Sequence, residues 1–150
     1  MRRNRFFRCM LAGLWIGLLF VPGCGKKGDP IPPRVRLPAA IADLSAASSA
    51  EGIILRWSIP FPQDGIGSFR ILRSDTEADR ACPGCPQDHR TLAQLSVADG
   101  RLQRDGERGI RYLDAEVRPG RFYSYRVAGC NPRGDCGEAS NTAQRVHQTR

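Results

Sequence analysis

Apolar residues are distributed along this chain in two unlike ways. Residues 9–21 form an unbroken apolar run, C-M-L-A-G-L-W-I-G-L-L-F-V, whereas beyond Pro38 apolar and polar residues alternate in short stretches. Alternation with period 2 predicts half-buried strands. The clearest is residues 52–58, which sets Ile53, Leu55 and Trp57 on one face and Ile54, Arg56 and Ser58 on the other. Residues 68–74 repeat the pattern with Phe69 and Ile71, and residues 121–128 align Tyr123, Tyr125 and Val127. Shorter candidates are residues 41–46, 91–97, 110–113 and 138–146. Pro60 and Pro62 end the second of these seven strands, because proline cannot donate to a ladder. Seven short strands with turn residues between them, and no convincing helical period, predict an all-β antiparallel sandwich.

The first run reads differently in its context. Met1 to Arg8 holds four arginines and no acid, and the 13 apolar residues that follow fall short of the roughly 20 a membrane-spanning helix needs. A basic stretch, an apolar stretch and a small-residue cleavage site make a secretory signal over residues 1–23. At its end Val21-Pro22-Gly23-Cys24 resembles a lipobox. That resemblance implies a bacterial lipoprotein, with Cys24 alkylated by a diacylglyceryl group, acylated after cleavage, and inserted in a membrane. Acyl chains contribute about 0.8 kcal/mol per buried methylene, enough for a stable anchor when two or three are present.

Residues 24–38 then form a tether, C-G-K-K-G-D-P-I-P-P-R-V-R-L-P, whose four prolines favour an extended, polyproline-like course. Cys24-Gly25-Lys26-Lys27-Gly28 with Pro32-Pro33 resembles the C-G-x-K-G-P-L-x-x-P-P start of a class of Gram-negative lipoproteins. It departs from that pattern at Asp29-Pro30. The class implies an accessory role in assembling the outer-membrane lipopolysaccharide translocon, and Gly25 implies release to the outer membrane, facing the periplasm.

Charge adds little once these segments are set apart. The chain has 23 Lys+Arg and 15 Asp+Glu, a formal net charge of +8. Setting aside four arginines in the signal, four basic residues in the tether, and Asp29 leaves 15 basic and 14 acidic residues from Leu37 onward. The high pI therefore reflects a signal and a basic stem beside anionic lipid, and no nucleic-acid partner is expected. What remains is one small domain over residues 39–147 and a tail at 148–150.

The run from Tyr112 to Gly134 carries a second resemblance. Val117, Pro119, Gly120, Tyr123, Tyr125, Val127, Asn131 and Gly134 occupy the places of the fibronectin type III pattern, a hydrophobe followed by x-P-G-x-x-Y-x-aromatic-x-V, then Asn and Gly. Trp57 stands where that family keeps its second-strand core tryptophan. The resemblance spans Pro38 to Val146 and implies an immunoglobulin-like sandwich in which Tyr123 bonds a backbone group near Val117. Residues 75–90 have no counterpart in a minimal domain of this kind.

Four cysteines remain in the domain, Cys82, Cys85, Cys130 and Cys136, a disulfide framework with three connectivities open. In the fold the resemblance implies, Cys82-Pro-Gly-Cys85 and the Cys130/Cys136 hairpin sit at opposite ends. The implied pairing is therefore local, Cys82 with Cys85 and Cys130 with Cys136. The same placement speaks against a Cys₄ zinc centre, which needs all four sulfurs in one tetrahedron. A redox C-x-x-C ordinarily opens a helix in a βαβ unit, and c-type haem needs a histidine where Pro86 stands. Arg133-Gly134-Asp135 matches the integrin-binding tripeptide, yet these are also ordinary turn formers.

His89 in the insert and His147 in the tail have no nucleophile placed beside them. Asp64, Asp75, Asp99 and Asp105 adjoin turns and read as solvated. No catalytic residue, metal site or cofactor is expected beyond the lipid on Cys24. The reading is a non-enzymatic binding module for an envelope protein or glycan. Its alternatives are a translocon-assembly accessory acting through residues 24–33 and an envelope thiol redox protein.

Overall fold

The computed structural model describes residues 36–61 and 65–148. The signal, Cys24 and most of the tether lie outside them, as do Pro62 and Asp64. Eight strands are described: β1 (Ser45–Ser49), β2 (Gly52–Ser58), β3 (Ser68–Glu77), β4 (Arg90–Ser96), β5 (Leu102–Asp105), β6 (Gly109–Asp114), β7 (Arg121–Cys130) and β8 (Ala143–Val146). They form two four-stranded antiparallel sheets, ordered β1-β2-β6-β5 and β4-β3-β7-β8. A single 3₁₀ turn, Ala78–Arg80, follows β3.

The predicted alternation is what closes the two sheets on each other. Ile53, Leu55 and Trp57 from β2 face Phe69 and Ile71 from β3 and Tyr123, Tyr125 and Val127 from β7, all buried. Trp57 meets Phe69 edge-on, ring centroids 5.4 Å apart. Each large apolar side chain so buried contributes about 1.5–3 kcal/mol.

Two strands start well after the expected residue, each because a side chain replaces a backbone partner. The first strand was expected over residues 41–46; Ile41 and Leu44 are buried, but the ladder starts only at Ser45. The Asn141 side chain takes both backbone groups of Leu44 instead, accepting from its N–H and donating to its carbonyl, each at 2.9 Å. In the last strand, β8 begins at Ala143 rather than at Glu138. There the Ser140 hydroxyl accepts from Val127 N–H at 2.9 Å, while Ser140 N–H donates to the Val127 carbonyl.

The strand absent from the sequence reading is β5. Leu102 is its one buried residue, and Gln103, Arg104 and Asp105 are exposed on a sheet edge, so no alternation marks it. His147 is not in a tail: it is 3 % exposed, and its N–H donates to the Arg121 carbonyl while its own carbonyl accepts from Gly120 N–H.

The sandwich has two poles. One gathers the approach to β1, the β2–β3 loop, the β5–β6 turn and the β7–β8 connection. The other gathers the β1–β2 turn, the start of the β3–β4 insert, the β6–β7 loop and His147. The chain enters at the first pole, where Pro38 lies against Gly129 and Gly137 so closely that a Cβ on Gly137 would overlap the Pro38 carbonyl.

Candidate functional site

The four domain cysteines form two local pairs, Cys82–Cys85 and Cys130–Cys136. They differ in setting. Cys130 is wholly buried, whereas Cys82 and Cys85 are both exposed on the β3–β4 insert. Within the second loop, Asn131 organises the Arg133-Gly134-Asp135 turn. Its side-chain oxygen accepts from Arg133 N–H (2.9 Å) and Asp135 N–H (3.0 Å), and its amide donates to the Asp135 carboxylate at 3.1 Å. Gly134, at φ +92°, supplies the left-handed step. The tripeptide is thus a self-satisfied turn, with its acid bonded to Asn131 rather than projecting alone.

The insert folds back over the outer face of the β4-β3-β7-β8 sheet. The Gln87 amide donates to the Cys85 carbonyl at 3.3 Å, and Ser74 donates to the Gln87 side-chain oxygen at 3.4 Å. His89 bridges the Gln87 carbonyl (Nδ1, 3.1 Å) and the Ser124 hydroxyl (Nε2, 3.1 Å). A carbonyl can only accept, so Nδ1 carries the proton and Nε2 accepts from Ser124. Burial lowers the His89 pKa from its usual value, with nearby Arg126 acting in the same direction. Between the insert and β8 lies a groove of about 490 Å³, lined by Cys85, Gln87, His89, Arg126, Thr142 and Gln144.

A polar cluster that sequence reasoning missed spans the sandwich near the pole of the β6–β7 loop. Asp114, at the end of β6, is 1 % exposed. Its carboxylate accepts from the Tyr125 hydroxyl at 2.7 Å, from Arg73 Nη1 at 3.0 and 3.2 Å, and from Glu116 N–H at 3.1 Å. Arg73 also donates to the Glu116 carbonyl at 3.2 Å and lies 5.8 Å over the Tyr123 ring. Burial opposes the Arg73 charge, but the hydrogen bonds and charge of Asp114 outweigh it and hold its pKa above the usual value. Burial, reinforced by the Asp114 charge, pushes the Tyr125 hydroxyl far up. Each oxygen of this carboxylate accepts two hydrogen bonds from within the fold, so its work is to join the sheets and fix the β6–β7 loop. The same loop is fixed again by Tyr123, whose hydroxyl accepts from Arg118 N–H at 2.7 Å. This is the bond near Val117 that the fibronectin-like pattern implied.

Of the acids read as solvated, Asp75, Asp99 and Asp105 hold surface arginine partners, and Asp64 lies outside the described residues. Asp75 pairs with Arg121 (2.8 Å), Asp105 with Arg56 (3.3 Å) and Asp99 with Arg101 (3.0 Å). The Arg101 hydrogen bonds hold the Asp99 carboxyl at about 2. Among the described residues no group of three or more His, Cys, Asp or Glu side chains is arranged to hold a metal ion, and no helix is long and apolar enough to cross a membrane.

The sheet edges differ in what covers them. β8 packs beside β1, and the Ser48 hydroxyl donates to the Val146 carbonyl at 3.2 Å. β5 is four residues long. β4, with seven residues, is paired by β3 alone, so among the described residues its outer edge is the longest one open.

No protein-family model matches the chain, and no curated protein matches it. Solved structures do. An Fn3-like protein from Clostridium thermocellum is 23 % identical over 73 % of this chain and 92 % of its own, with a TM-score of 0.48. The twitchin kinase region from C. elegans is 14 % identical over 76 % of this chain and 17 % of its own, with a TM-score of 0.51. The fold is a fibronectin type III-like sandwich. At such identities the likeness extends to fold and no further, so the eight-stranded fibronectin type III-like architecture stands without a shared activity.

Proposed function

We propose that this chain is a lipid-anchored envelope protein whose fibronectin type III-like sandwich works as a non-enzymatic binding module. The observation that carries the binding reading is the open β4 edge, a seven-residue strand whose outward-facing backbone donors and acceptors, on alternate residues, an extended partner segment can continue. The exported setting is supported by the two disulfides of a small domain, a pattern that belongs to oxidising compartments. The anchor rests on the lipobox-like residues ending in Cys24, with the outer membrane, periplasmic side, as the proposed address. The polar clusters of the domain are internally satisfied, which fits a scaffold that presents backbone and loops better than one that performs chemistry.

The test is in-membrane cross-linking from a photoreactive side chain at exposed Gln94 on β4, with mass spectrometry of the captured partner and of the Cys24 peptide. Repeated capture of one envelope protein from Gln94, but not from Gln103 on β5, supports the module. An acylated Cys24 peptide with no partner beyond abundant bystanders would sink it. The match of residues 24–33 to translocon-associated lipoproteins favours a second reading, in which that segment acts alone. Complementation by residues 24–40 without the sandwich would choose it.

A further inference from the structure

Building on the lipid-anchor reading of Cys24, we infer that the pole where the chain joins the sandwich lies against the bilayer, with Phe61 entering the headgroup region. Among the described residues the exposed large hydrophobic side chains are Phe61, 80 % exposed, and Leu37, 53 % exposed. Both belong to this pole. Leu37 immediately precedes Pro38, which packs on Gly129 beside Ile66. Phe61 stands two residues beyond Ile59, whose N–H donates to the Arg108 carbonyl at 2.9 Å. The Ile59 carbonyl in turn accepts both Nε and Nη2 of Arg108, at 3.0 and 2.7 Å. Phe61 is therefore carried outward from a fixed point of the frame. A phenylalanine so exposed is singly unremarkable, but its place on the tethered pole is not neutral.

Chain length favours one orientation. From Cys24 to Leu37 there are 13 residue steps, which span at most roughly 45 Å at 3.3–3.6 Å each, whatever their conformation. β3 and β7 are ten residues each, about 33 Å long. Setting the opposite pole on the membrane would need the chain to run back along the whole sandwich, using about three quarters of its maximum reach. Setting the joining pole there needs none of that. Exposed Arg36 and Arg133 sit at the same pole beside the apolar residues, where guanidinium groups favour anionic headgroups, while Asp135 is bonded to Asn131. Exposed acids share this pole and oppose them: Glu107 on the β5–β6 turn, Glu138 on the β7–β8 connection, and Asp43, which accepts from Ser58 N–H.

The experiment uses the full chain, expressed with its N-terminus, processed, and reconstituted into phosphatidylethanolamine–phosphatidylglycerol vesicles with or without brominated acyl chains. Phe61→Trp and Ala50→Trp place an indole at the joining pole and at the β1–β2 turn of the opposite pole. The parent, with Trp57 buried in the core, sets the background. Burying an aromatic side chain at an interface favours the contacted state by roughly ten- to a hundredfold. The Phe61→Trp emission is therefore expected to be blue-shifted and quenched near saturation, with Ala50→Trp unaffected. An unquenched Phe61→Trp on protein that is acylated at Cys24 and floats with vesicles overturns the orientation and leaves the anchor intact, as does equal quenching at both sites. A Cys24 peptide without lipid, on protein that does not float, overturns the anchor and the orientation together.

Discussion

Replacing Asp114 with alanine removes the acceptor on which three parts of the fold converge. Its carboxylate takes Tyr125 from the opposite sheet, Arg73 from the strand beside it, and Glu116 N–H from the loop that follows. Removing one partner of a buried ion pair costs about 3–5 kcal/mol. The Arg73 side chain, 21 % exposed, keeps some hydration and its bond to the Glu116 carbonyl, which sets the expected loss at the lower end, about 3 kcal/mol. Tyr125→Phe deletes only one charge-assisted hydrogen bond and should cost about 1.5 kcal/mol. Once Asp114 is gone, the Tyr125 hydroxyl is already an orphan, so the second substitution adds little. The cycle should therefore be strongly non-additive, with a coupling of about 1–2 kcal/mol. Urea denaturation of the oxidised protein at neutral pH measures all four corners, provided the m-value is unchanged. A loss below about 1 kcal/mol for Asp114→Ala, or additive singles, would refute the claim that this cluster joins the sheets.

The remaining expectations concern the other fixed points of the sandwich. Because the folded-state pKa of Tyr125 is raised, the folded protein keeps a proton that the unfolded chain releases near pH 10. Stability should therefore fall as pH climbs past 10, by up to about 1.4 kcal/mol per pH unit for this group, and Tyr125→Phe should flatten that decline in alkaline melts. Tyr123→Phe leaves Arg118 N–H without its acceptor and should cost about 1–2 kcal/mol by denaturation while the far-ultraviolet spectrum stays unchanged. In the loop-entropy model Cys130–Cys136 contributes about 2.4 kcal/mol and Cys82–Cys85 about 1.9. Graded reductant with maleimide mapping should label exposed Cys82 and Cys85 before buried Cys130, and the reverse order would contradict the burial argument. Gly137→Ala drives a Cβ into the Pro38 carbonyl, and limited proteolysis should then cut near residues 36–40 faster than in the parent.

How much of this was legible in the sequence follows from what alternation can and cannot encode. Period 2 marks a strand when one face is apolar and the other is not. It located β2, β3 and β7 with Ile53, Leu55, Trp57, Phe69, Ile71, Tyr123, Tyr125 and Val127 on the inward face. It failed for β5, where an edge strand needs only Leu102 to reach the core. It also overran the ordered ends, because Asn141 and Ser140 satisfy backbone groups with side chains, which no hydrophobic pattern records.

The Asp114 cluster is the more instructive case. Continuing the inward phase of β6 from Ile110 and Tyr112 lands on Asp114, and continuing that of β3 from Phe69 and Ile71 lands on Arg73. Two opposite charges thus fall on inward positions of facing strands, within reach of Tyr125. That coincidence was present in the sequence as a signal. It went unused because neither Asp114 nor Arg73 was placed on the phase of its strand. Asp75 and Asp105 are exposed as expected, but their arginine partners, Arg121 and Arg56, were not legible for the related reason that they are 46 and 49 residues away and meet them only through sheet pairing. Charge placement in such a sandwich is therefore better read after strand phase has been assigned. A charged residue in phase with the core then demands a partner from the facing sheet, because an unpaired buried charge would cost more than the fold can spare.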